Sequence, residues 1–390
     1  MRMRWLALGA IVAIGLAGGA RAADPGLTQD SIKIGVFGPL TGPAAAFGKA
    51  QLGIKAVYLD QNEHGGINGR KIEVVLEDTA CDPAKGLAAT KKLIAQDQVF
   101  LLHGGSCSNV VMAVKPDIIA SGVPYVVATA ANAAITDPIT PTIFITVATT
   151  ATMARTMVDF AMTKPGAKRI AVISHSDEWG KSGHDPALVE LKTKFDLAPV
   201  ADVTFERGSI NATPQVLQIK NANPDFVLAF LYPAEFAIFL RDSFKYGMTV
   251  PTMGNQAISI EDTAQQVGNA AIMKNVYVFY PLAAQIGDAK IAKWVDMFTK
   301  YNPGVRLETS SLLGMGGAEA VIEALRQAGP DLTRAKFIAA LDSLHSFDTG
   351  VLAAPLEFSP QRHAGMNGGA TITYVGDKLV LIHKFSDAQK

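Results

Sequence analysis

The sequence predicts an α/β protein with two mainly parallel sheets, each covered by helices on both faces. Short apolar strands alternate with helical segments over residues 32–128, and this alternation is typical of a buried parallel sheet. The same rhythm restarts after an extended segment at residues 142–147. A chain of 390 residues is long enough for two domains. Since ligands of open α/β sheets lie outside the carboxyl ends of the strands, two sheets predict a cleft between two lobes.

In the first half of the chain, apolar runs bounded by glycine, proline or polar turns predict strands, and longer periodic segments predict helices. The predicted strands cover residues 32–37, 71–78, 99–102 and 124–128. The predicted helices cover residues 49–63 and 83–96, and a third helix begins at residue 110.

The second half predicts the same elements and a different ending. The predicted strands cover residues 169–174, 225–230, 252–254 and 276–279. The predicted helices cover residues 150–163, 181–195, 233–246, 291–301, 312–328 and 334–344. Residues 356–385 alternate in polarity and turn at Gly376-Asp377, which indicates antiparallel strands or a hairpin.

The first 22 residues predict an export signal. Arg2 and Arg4 form a basic start, residues 6–16 are apolar, and a small-x-small pattern ends at Ala22. The apolar run is shorter than the ~20 residues that span a bilayer. We therefore expect cleavage after Ala22 and export of the mature protein, with an uncleaved anchor as the alternative.

Charge and cysteine content limit the partners and cofactors. The 35 basic and 35 acidic residues balance, which argues against nucleic acid or an anionic membrane as the main partner. Cys81 and Cys107 are the two cysteines, and in an oxidising compartment such a pair predicts one disulfide. Two cysteines without a second pair or a histidine cluster do not make a metal site. We expect no metal and no cofactor.

The segment at residues 99–112 predicts a strand, a small-residue turn and a helix start. Such a turn directs unpaired backbone N–H groups, the positive end of the helix dipole and the hydroxyl of Ser108 towards one point. That arrangement can hold a carboxylate or another anion. The alternative is that Ser108 only caps its own helix.

The same turn also suggests an enzyme. Residues 104–108 nearly match the G-x-S-x-G turn of α/β hydrolases, with Ser106 as nucleophile and Ser108 in place of the last glycine. However, the neighbouring Cys107 is a predicted disulfide cysteine, and no histidine or aspartate partner can be assigned. We therefore expect no catalytic residue, and a secreted hydrolase using Ser106 is a remote alternative.

Four segments, in this order and spacing, resemble the periplasmic leucine/isoleucine/valine-binding protein family, the type I solute-binding components of ABC importers. They read IKIGVFGPLTGPAAAFG, GGINGRKIEVVLEDTACDPAKG, GGSCSN and VPYVVATAANAAITDP. The resemblance implies two Rossmann-like lobes that close on a solute and are joined by crossovers near residues 146–149, 280–282 and 350–354. The implied lobes are residues 30–147 with 282–350, and residues 148–281 with 351–386.

The resemblance also implies ligand-binding residues. Ser108 matches the serine whose hydroxyl and N–H hold the ligand carboxylate. Ala130 and Asn132 match an Ala-x-Thr pair in the next turn, with asparagine replacing threonine. The aromatic positions that match turns lining the pocket are Phe47, Trp179 and Tyr232, of which Phe47 and Tyr232 have a core role as the alternative. The family disulfide matches Cys81 and Cys107.

Position 256 departs from the family's amino-acid binders, which place an acidic residue two positions after a glycine, here Gly254. That acid pairs with the ligand's ammonium group, whereas this chain has Gln256. A buried ammonium without a carboxylate partner is costly. Glu261 and Asp262 lie close enough for a shifted alignment to restore a carboxylate, and Gln256 as a solvated loop residue is a further alternative. His175 is a candidate polar contact or a surface turn residue.

These observations predict a periplasmic solute-binding protein, a monomer that delivers a small carboxylate to an inner-membrane ABC permease. Gln256 in place of an acidic residue, and the aromatic residues that match the pocket lining, favour an aromatic or other non-amino carboxylic acid as the solute. A branched-chain amino acid is the alternative.

Overall fold

The structure is a computed structural model that describes residues 24–42 and 44–386. The predicted export signal, residues 1–22, lies outside this part. Within the described part, the chain forms two separate sheets with helices packed on them, which confirms the predicted α/β class. None of the described helices is both long and apolar enough to cross a membrane.

The first sheet contains five strands, all parallel, in the order β2-β1-β3-β4-β5. Their bounds are β1 Ser31–Gly38, β2 Lys71–Asp78, β3 Leu101–Gly104, β4 Tyr125–Val127 and β5 Ile143–Ile145. Strands β3, β4 and β5 are buried along their whole length, as the continuous apolar runs of a parallel sheet predict.

The second sheet contains seven strands in the order β12-β11-β10-β9-β8-β6-β7. Their bounds are β6 Ile170–His175, β7 Ala201–Phe205, β8 Phe226–Phe230, β9 Thr252–Gly254, β10 Val276–Tyr280, β11 Gly368–Val375 and β12 Lys378–Ser386. The last two form the predicted antiparallel hairpin, and β11 joins it to β10.

Twelve α-helices of the described chain cover the sheets. Their bounds are α1 Lys49–Glu63, α2 Pro83–Lys91, α3 Ser108–Ser121, α4 Thr150–Met162, α5 Glu178–Phe195, α6 Thr213–Asn221, α7 Pro233–Lys245, α8 Ile260–Val267, α9 Ala270–Met273, α10 Ala292–Tyr301, α11 Thr309–Ala328 and α12 Arg334–Asp342. A π-helical turn, Lys92–Gln96, continues α2.

Helix α11 packs closely on α1 because glycine lies at their contact. A Cβ on Gly314 would come within 2.2 Å of the Ala50 carbonyl oxygen, and a Cβ on Gly53 within 2.2 Å of the Ser311 carbonyl oxygen. Any larger residue would therefore push the two helices apart. This contact attaches α10–α12, which follow the second sheet's β10 in the chain, to the first lobe.

Crossovers between the sheets are predicted near residues 146–149, 280–282 and 350–354. Residues 146–149 connect β5 to α4. The segments around Leu282 and Leu352 pair with each other, because the Ala283 N–H donates to the Val351 carbonyl (2.9 Å) and the Ala353 N–H donates to the Pro281 carbonyl (2.8 Å). At the first two of these places the chain passes from β5 to α4, which packs on the second sheet, and from β10 to α10, which packs on α1.

Residues 363–366 remain beside the first sheet. The Ile145 N–H donates to the His363 carbonyl (2.8 Å), and the His363 ring stacks on Phe144 with centroids 3.9 Å apart. The chain therefore leaves the first sheet between Met366 and Gly368, later than the predicted lobe boundary at residue 350. The lobe boundaries themselves stay predictions.

Candidate functional site

All seven predicted ligand residues lie after the carboxyl ends of strands, either in the following turn or in the first turn of the following helix. Phe47 follows β1, Ser108 follows β3, Ala130 and Asn132 follow β4, Trp179 follows β6, Tyr232 follows β8 and Gln256 follows β9. The strand order reverses between β1 and β3 in the first sheet and between β6 and β8 in the second. Open α/β sheets bind ligands at such switch points.

The turn after β3 requires its two glycines. Gly104 and Gly105 have φ values of +114° and +77°, a region that residues with a side chain rarely adopt. A Cβ on Gly105 would also lie 2.0 Å from the Tyr125 hydroxyl. The glycines therefore let the chain turn sharply from β3 into α3 with Ser108 at the helix start.

Ser108 is the first residue of α3, and its hydroxyl is not used for capping. Cys107 occupies the N-cap position, and no side chain of the described residues caps this helix. The alternative that Ser108 only caps its own helix is therefore wrong. Because Ser108, Asn109 and Val110 form the first turn, their N–H groups have no acceptor within the helix. The start of α3 thus has unpaired N–H groups, a hydroxyl and the positive end of the helix dipole, which together suit an anion.

The disulfide between Cys81 and Cys107 is present, as predicted. Its Cα atoms lie 5.7 Å apart, and it joins the turn between β2 and α2 to the N-cap of α3. The start of α3 is therefore covalently fixed to a second turn at the same edge of the sheet.

Ser106 has structural partners of its own. Its hydroxyl donates to the Phe47 carbonyl (3.2 Å) and accepts from the amide of Gln51 (3.1 Å). Gln51 is fully buried in α1. Neither partner is a general base, so Ser106 lacks the arrangement that activates a serine nucleophile. These bonds instead tie the turn after β1 to the turn after β3.

The turn after β4 presents one amide donor and one carbonyl. The Asn132 side-chain oxygen accepts from the Ala134 N–H (2.9 Å), which directs the side-chain NH₂ group away from its own turn. The Ala130 N–H donates to the Gly105 carbonyl (3.1 Å). Ala130 is therefore left with a carbonyl acceptor, and Asn132 is the residue of this pair that can donate to an anion.

Asp78, at the end of β2, holds the beginning of the turn that carries Phe47. Its carboxylate accepts from the N–H groups of Leu40 (2.8 Å) and Ala80 (2.9 Å) and from the N–H and hydroxyl of Thr41. Burial raises the pKa of Asp78, but these bonds outweigh burial and hold the pKa below its usual value. Phe47 itself is 41% exposed, so its core alternative is wrong.

In the second lobe, Trp179 stacks on Tyr232 with ring centroids 4.5 Å apart. His175 is buried beneath them rather than on a surface turn. Its Nδ1–H donates to the Phe205 carbonyl (2.8 Å), and its Nε2 accepts from the Tyr232 N–H (3.0 Å). These two bonds fix the orientation of the His175 ring and position Tyr232.

The Tyr232 hydroxyl is protonated at physiological pH. Burial, and secondly the nearby Asp177 carboxylate, raise the pKa of Tyr232 to about 12. Tyr232 is half-buried and contacts Trp179, so it lies at the edge of the core and not within it. The phenol of Tyr232 is therefore an uncharged aromatic surface with one hydroxyl group.

Gln256 contacts the first crossover. Its side-chain NH₂ donates to the Ala148 carbonyl (3.4 Å), and its backbone N–H contacts the Met153 sulfur (3.3 Å). Its side-chain oxygen is buried and has no partner among the described residues. Gln256 is therefore a half-buried residue at the junction between the lobes, not a solvated loop residue.

Sequence reasoning missed several residues that shape these turns. Gln51 and Asp78 act through bonds to distant turns, which no local pattern reveals. Arg207, in the turn after β7, places its guanidinium 4.7 Å from the Tyr232 ring centroid. For Arg207, the only signal in the sequence was a basic residue shortly after a segment of alternating apolar and polar residues, ADVTF.

A cavity of about 540 Å³ lies at the opposite edge of the first sheet, away from all of these turns. There Asp24 accepts from the Arg334 N–H at the start of α12 (2.6 Å), and the Arg334 side chain donates to the carbonyls of Val99 and Phe100. Asp24 and Arg334, which line this cavity, are thus engaged by the chain itself. No three His, Cys, Asp or Glu residues within the described ranges come together to hold a metal ion.

The sequence is similar to those of known periplasmic binding proteins. A family described as periplasmic binding protein matches residues 31–378. A leucine-, isoleucine-, valine-, threonine- and alanine-binding protein of Pseudomonas aeruginosa is 26% identical over 253 residues, which cover 64% of this chain and 66% of the relative. The match thus spans just under two thirds of that relative's length.

Solved structures share the fold. A type 1 periplasmic binding protein from Bordetella pertussis superposes with a TM-score of 0.75 at 22% identity, over 90% of this chain and 100% of that one. A solute-binding protein of an ABC transporter from R. palustris, in complex with 4-hydroxybenzoate, gives a TM-score of 0.76 at 22% identity, over 92% and 98%. The predicted two-lobed type I fold is therefore confirmed.

Proposed function

The chain belongs to the periplasmic binding protein family, and from this premise we propose that it is the periplasmic solute-binding component of an ABC importer. It binds a small carboxylate between its lobes and delivers it to a permease in the inner membrane. The position of Ser108 carries this proposal: it is the first residue of a 14-residue helix, and its hydroxyl does not cap that helix.

The carboxylate binds first to the first lobe. Ser108 supplies its hydroxyl, and the first turn of α3 supplies its unpaired N–H groups. Asn132 supplies its side-chain NH₂. Both turns are rigid, since Cys107 is in a disulfide and the Asn132 oxygen is held by Ala134. A donor set that is ordered before binding loses little entropy when the anion arrives.

The second lobe then closes over the solute by hinge rotation about the crossovers. Trp179 and Tyr232 form an aromatic surface on that lobe, and Phe47 is exposed on the first. Solute stabilises the closed form only by its differential affinity for that form. The permease recognises the closed form.

The second lobe favours a solute without an ammonium group. Gln256, where an acid would neutralise an ammonium, is an uncharged amide bonded to Ala148. The carboxylates of Asp177 and Glu235 accept hydrogen bonds from backbone N–H groups of Gly180 and Gly208. An aromatic or other non-amino carboxylic acid therefore fits better, and the similar fold that holds 4-hydroxybenzoate supports this ligand class.

A branched-chain amino acid is the second candidate. The name of the Pseudomonas relative favours it, and the Ala130 carbonyl is an acceptor to which an ammonium would donate. A thermal-shift screen of the mature protein separates the two candidates. Stabilisation by benzoate or 4-hydroxybenzoate, but not by leucine or valine, supports the proposal. Stabilisation by leucine or valine alone contradicts it.

Transport, rather than hydrolysis, is also open to a direct assay. Wild type and Ser106→Ala are compared for cleavage of carboxylic esters. We expect no turnover by either protein, because the Ser106 hydroxyl donates to a backbone carbonyl. Turnover that disappears in Ser106→Ala would support the hydrolase instead.

A further inference from the structure

Arg207 reaches from the edge of the second sheet to its switch point. The residue follows β7, the last strand of the order β8-β6-β7. Its guanidinium nevertheless lies 4.7 Å from the ring centroid of Tyr232, which follows β8. The side chain thus extends past the end of β6 and brings a positive charge beside the aromatic surface of Trp179 and Tyr232.

This positive charge has no carboxylate partner among the described residues. Glu206, its neighbour in the chain, accepts from the Ser176 hydroxyl (2.8 Å). Glu235 accepts from the Gly208 N–H (2.7 Å), and Asp177 accepts from the Gly180 N–H (2.9 Å). The acids of the neighbouring turns therefore act within their own lobe, and the N–H groups of Arg207 remain available.

Contact with an aromatic face orients a guanidinium while leaving its edge free. The ring attracts the cation through its π-face, and the five N–H donors lie in the guanidinium plane. An oxygen acceptor at that edge would form charge-assisted hydrogen bonds. Closure of the lobes would remove water from this contact and strengthen it.

We propose that Arg207 is a specificity-determining residue that binds an oxygen acceptor at the end of the solute opposite its carboxylate. This inference rests on the proposed function, in which Ser108 and Asn132 hold that carboxylate. The solute class is then an aromatic acid with a phenol oxygen or a second carboxylate at its far end. Such a solute would be held by donors of both lobes, which couples its binding to closure.

Isothermal titration calorimetry with three acids of similar shape tests this inference. The probes are 4-hydroxybenzoate, benzene-1,4-dicarboxylate and 4-methylbenzoate, whose methyl group accepts no hydrogen bond. We expect wild type to bind at least one of the first two about tenfold more tightly than 4-methylbenzoate, as expected for a hydrogen bond to a charged group. In Arg207→Gln this preference disappears, and the affinity for 4-methylbenzoate changes less than about twofold.

Two further variants separate binding from packing. Arg207→Lys retains the charge without the planar donors, and we expect it to restore part of the preference. Arg241→Gln, which removes an exposed arginine of α7, should behave like wild type. If Arg207→Gln weakens all three acids equally, Arg207 only supports Tyr232, and the inference is wrong.

The remaining outcomes distinguish the inference from the function on which it rests. A preference that persists in Arg207→Gln, or wild-type binding without any preference, overturns the inference alone. If wild type binds leucine and none of the three acids, the proposed ligand class is wrong and the inference falls with it.

Discussion

The indole of Trp179 lies against the phenol ring of Tyr232, with centroids 4.5 Å apart and planes inclined by 22°. The two residues follow β6 and β8, the strands that flank the switch point of the second sheet. Stacking occupies one face of each ring. The other face of Trp179 is therefore the surface of the second lobe that we propose for a flat solute.

Replacing Trp179 tests this surface. We expect Trp179→Ala to weaken the binding of an aromatic acid by about 1 kcal/mol, and Trp179→Phe to weaken it less, because phenylalanine keeps an aromatic face. Calorimetry with 4-hydroxybenzoate measures both. Equal affinities of wild type and Trp179→Ala would show that the solute does not contact this ring.

Replacing Ser108 separates anion binding from helix stability. Ser108→Ala should weaken carboxylate binding by about 1–3 kcal/mol, the range for a lost hydrogen bond to a charged group. Urea unfolding should show little change, because the Ser108 side chain does not cap α3. Ser108→Thr, which keeps the hydroxyl, is the matched control. A loss of stability without a loss of affinity would assign Ser108 a structural role.

Replacing Asn132 by aspartate exchanges one hydrogen-bond donor, the side-chain NH₂, for an acceptor and should keep the local fold. Aspartate still accepts from the Ala134 N–H, as the Asn132 oxygen does, but it presents an anionic oxygen where the NH₂ group stood. We expect Asn132→Asp to unfold like wild type and to lose more than about 2 kcal/mol of carboxylate binding. Unchanged affinity in calorimetry would place the carboxylate elsewhere.

His103 makes stability depend on pH. It is fully buried beside Tyr58 (2.7 Å from Nδ1 to the hydroxyl oxygen), and burial lowers its pKa to about 3. Between pH 6.5 and this value the unfolded chain binds a proton that the folded chain does not, so stability falls as pH falls. The loss attributable to His103 is about 1.6 kcal/mol between pH 6.5 and pH 5.

Urea midpoints of wild type and His103→Gln across this pH range measure the effect of His103. The variant should show a shallower loss of stability on acidification. His345→Gln, which removes an exposed histidine, should keep the wild-type slope. Parallel curves for wild type and His103→Gln would mean that His103 titrates normally.

The disulfide contributes to stability by constraining the unfolded chain. Cys81 and Cys107 are separated by 26 residues, and closure of a loop of this size contributes about 3.5 kcal/mol in the chain-entropy estimate. The double variant Cys81→Ala/Cys107→Ala should lose about this much free energy of unfolding in urea. Alanine is preferable to serine at position 107, because serine at an N-cap would add a new bond. A loss below about 1 kcal/mol would contradict this account.

The sequence predicted most of the fold because its strands and helices are locally marked. The glycine-rich turn before Ser108 and the buried run of β3 are continuous signals, and the disulfide follows from the presence of two cysteines. Strand β7 and helices α6, α8 and α9 were missed. The strand, ADVTF, is a short edge strand in which Asp202 and Thr204 face outward. Pairing of His363 with β5, beyond the predicted boundary at residue 350, was not foreseen, because it is a long-range contact.

The site was predicted less completely because several of its contacts depend on tertiary structure. Gln51 is an ordinary helix residue in the sequence, yet its amide supports Ser106 across 55 positions. His175 is the last residue of β6 and begins a polar run in the sequence, and only the sheet register next to Phe205 buries it. Arg207 follows β7 and Tyr232 follows β8, and β6 lies between these two strands. The sequence does not show this strand order, so it does not show that the two residues meet.

A crystal structure of the mature protein with its stabilising carboxylic acid bound tests the central claim most directly. We predict that the solute's carboxylate oxygens lie within about 3.2 Å of the Ser108 hydroxyl and the Asn132 side-chain nitrogen, with the second lobe closed over the solute. A carboxylate bound away from the start of α3, with the Ser108 hydroxyl making no contact to it, would contradict the account.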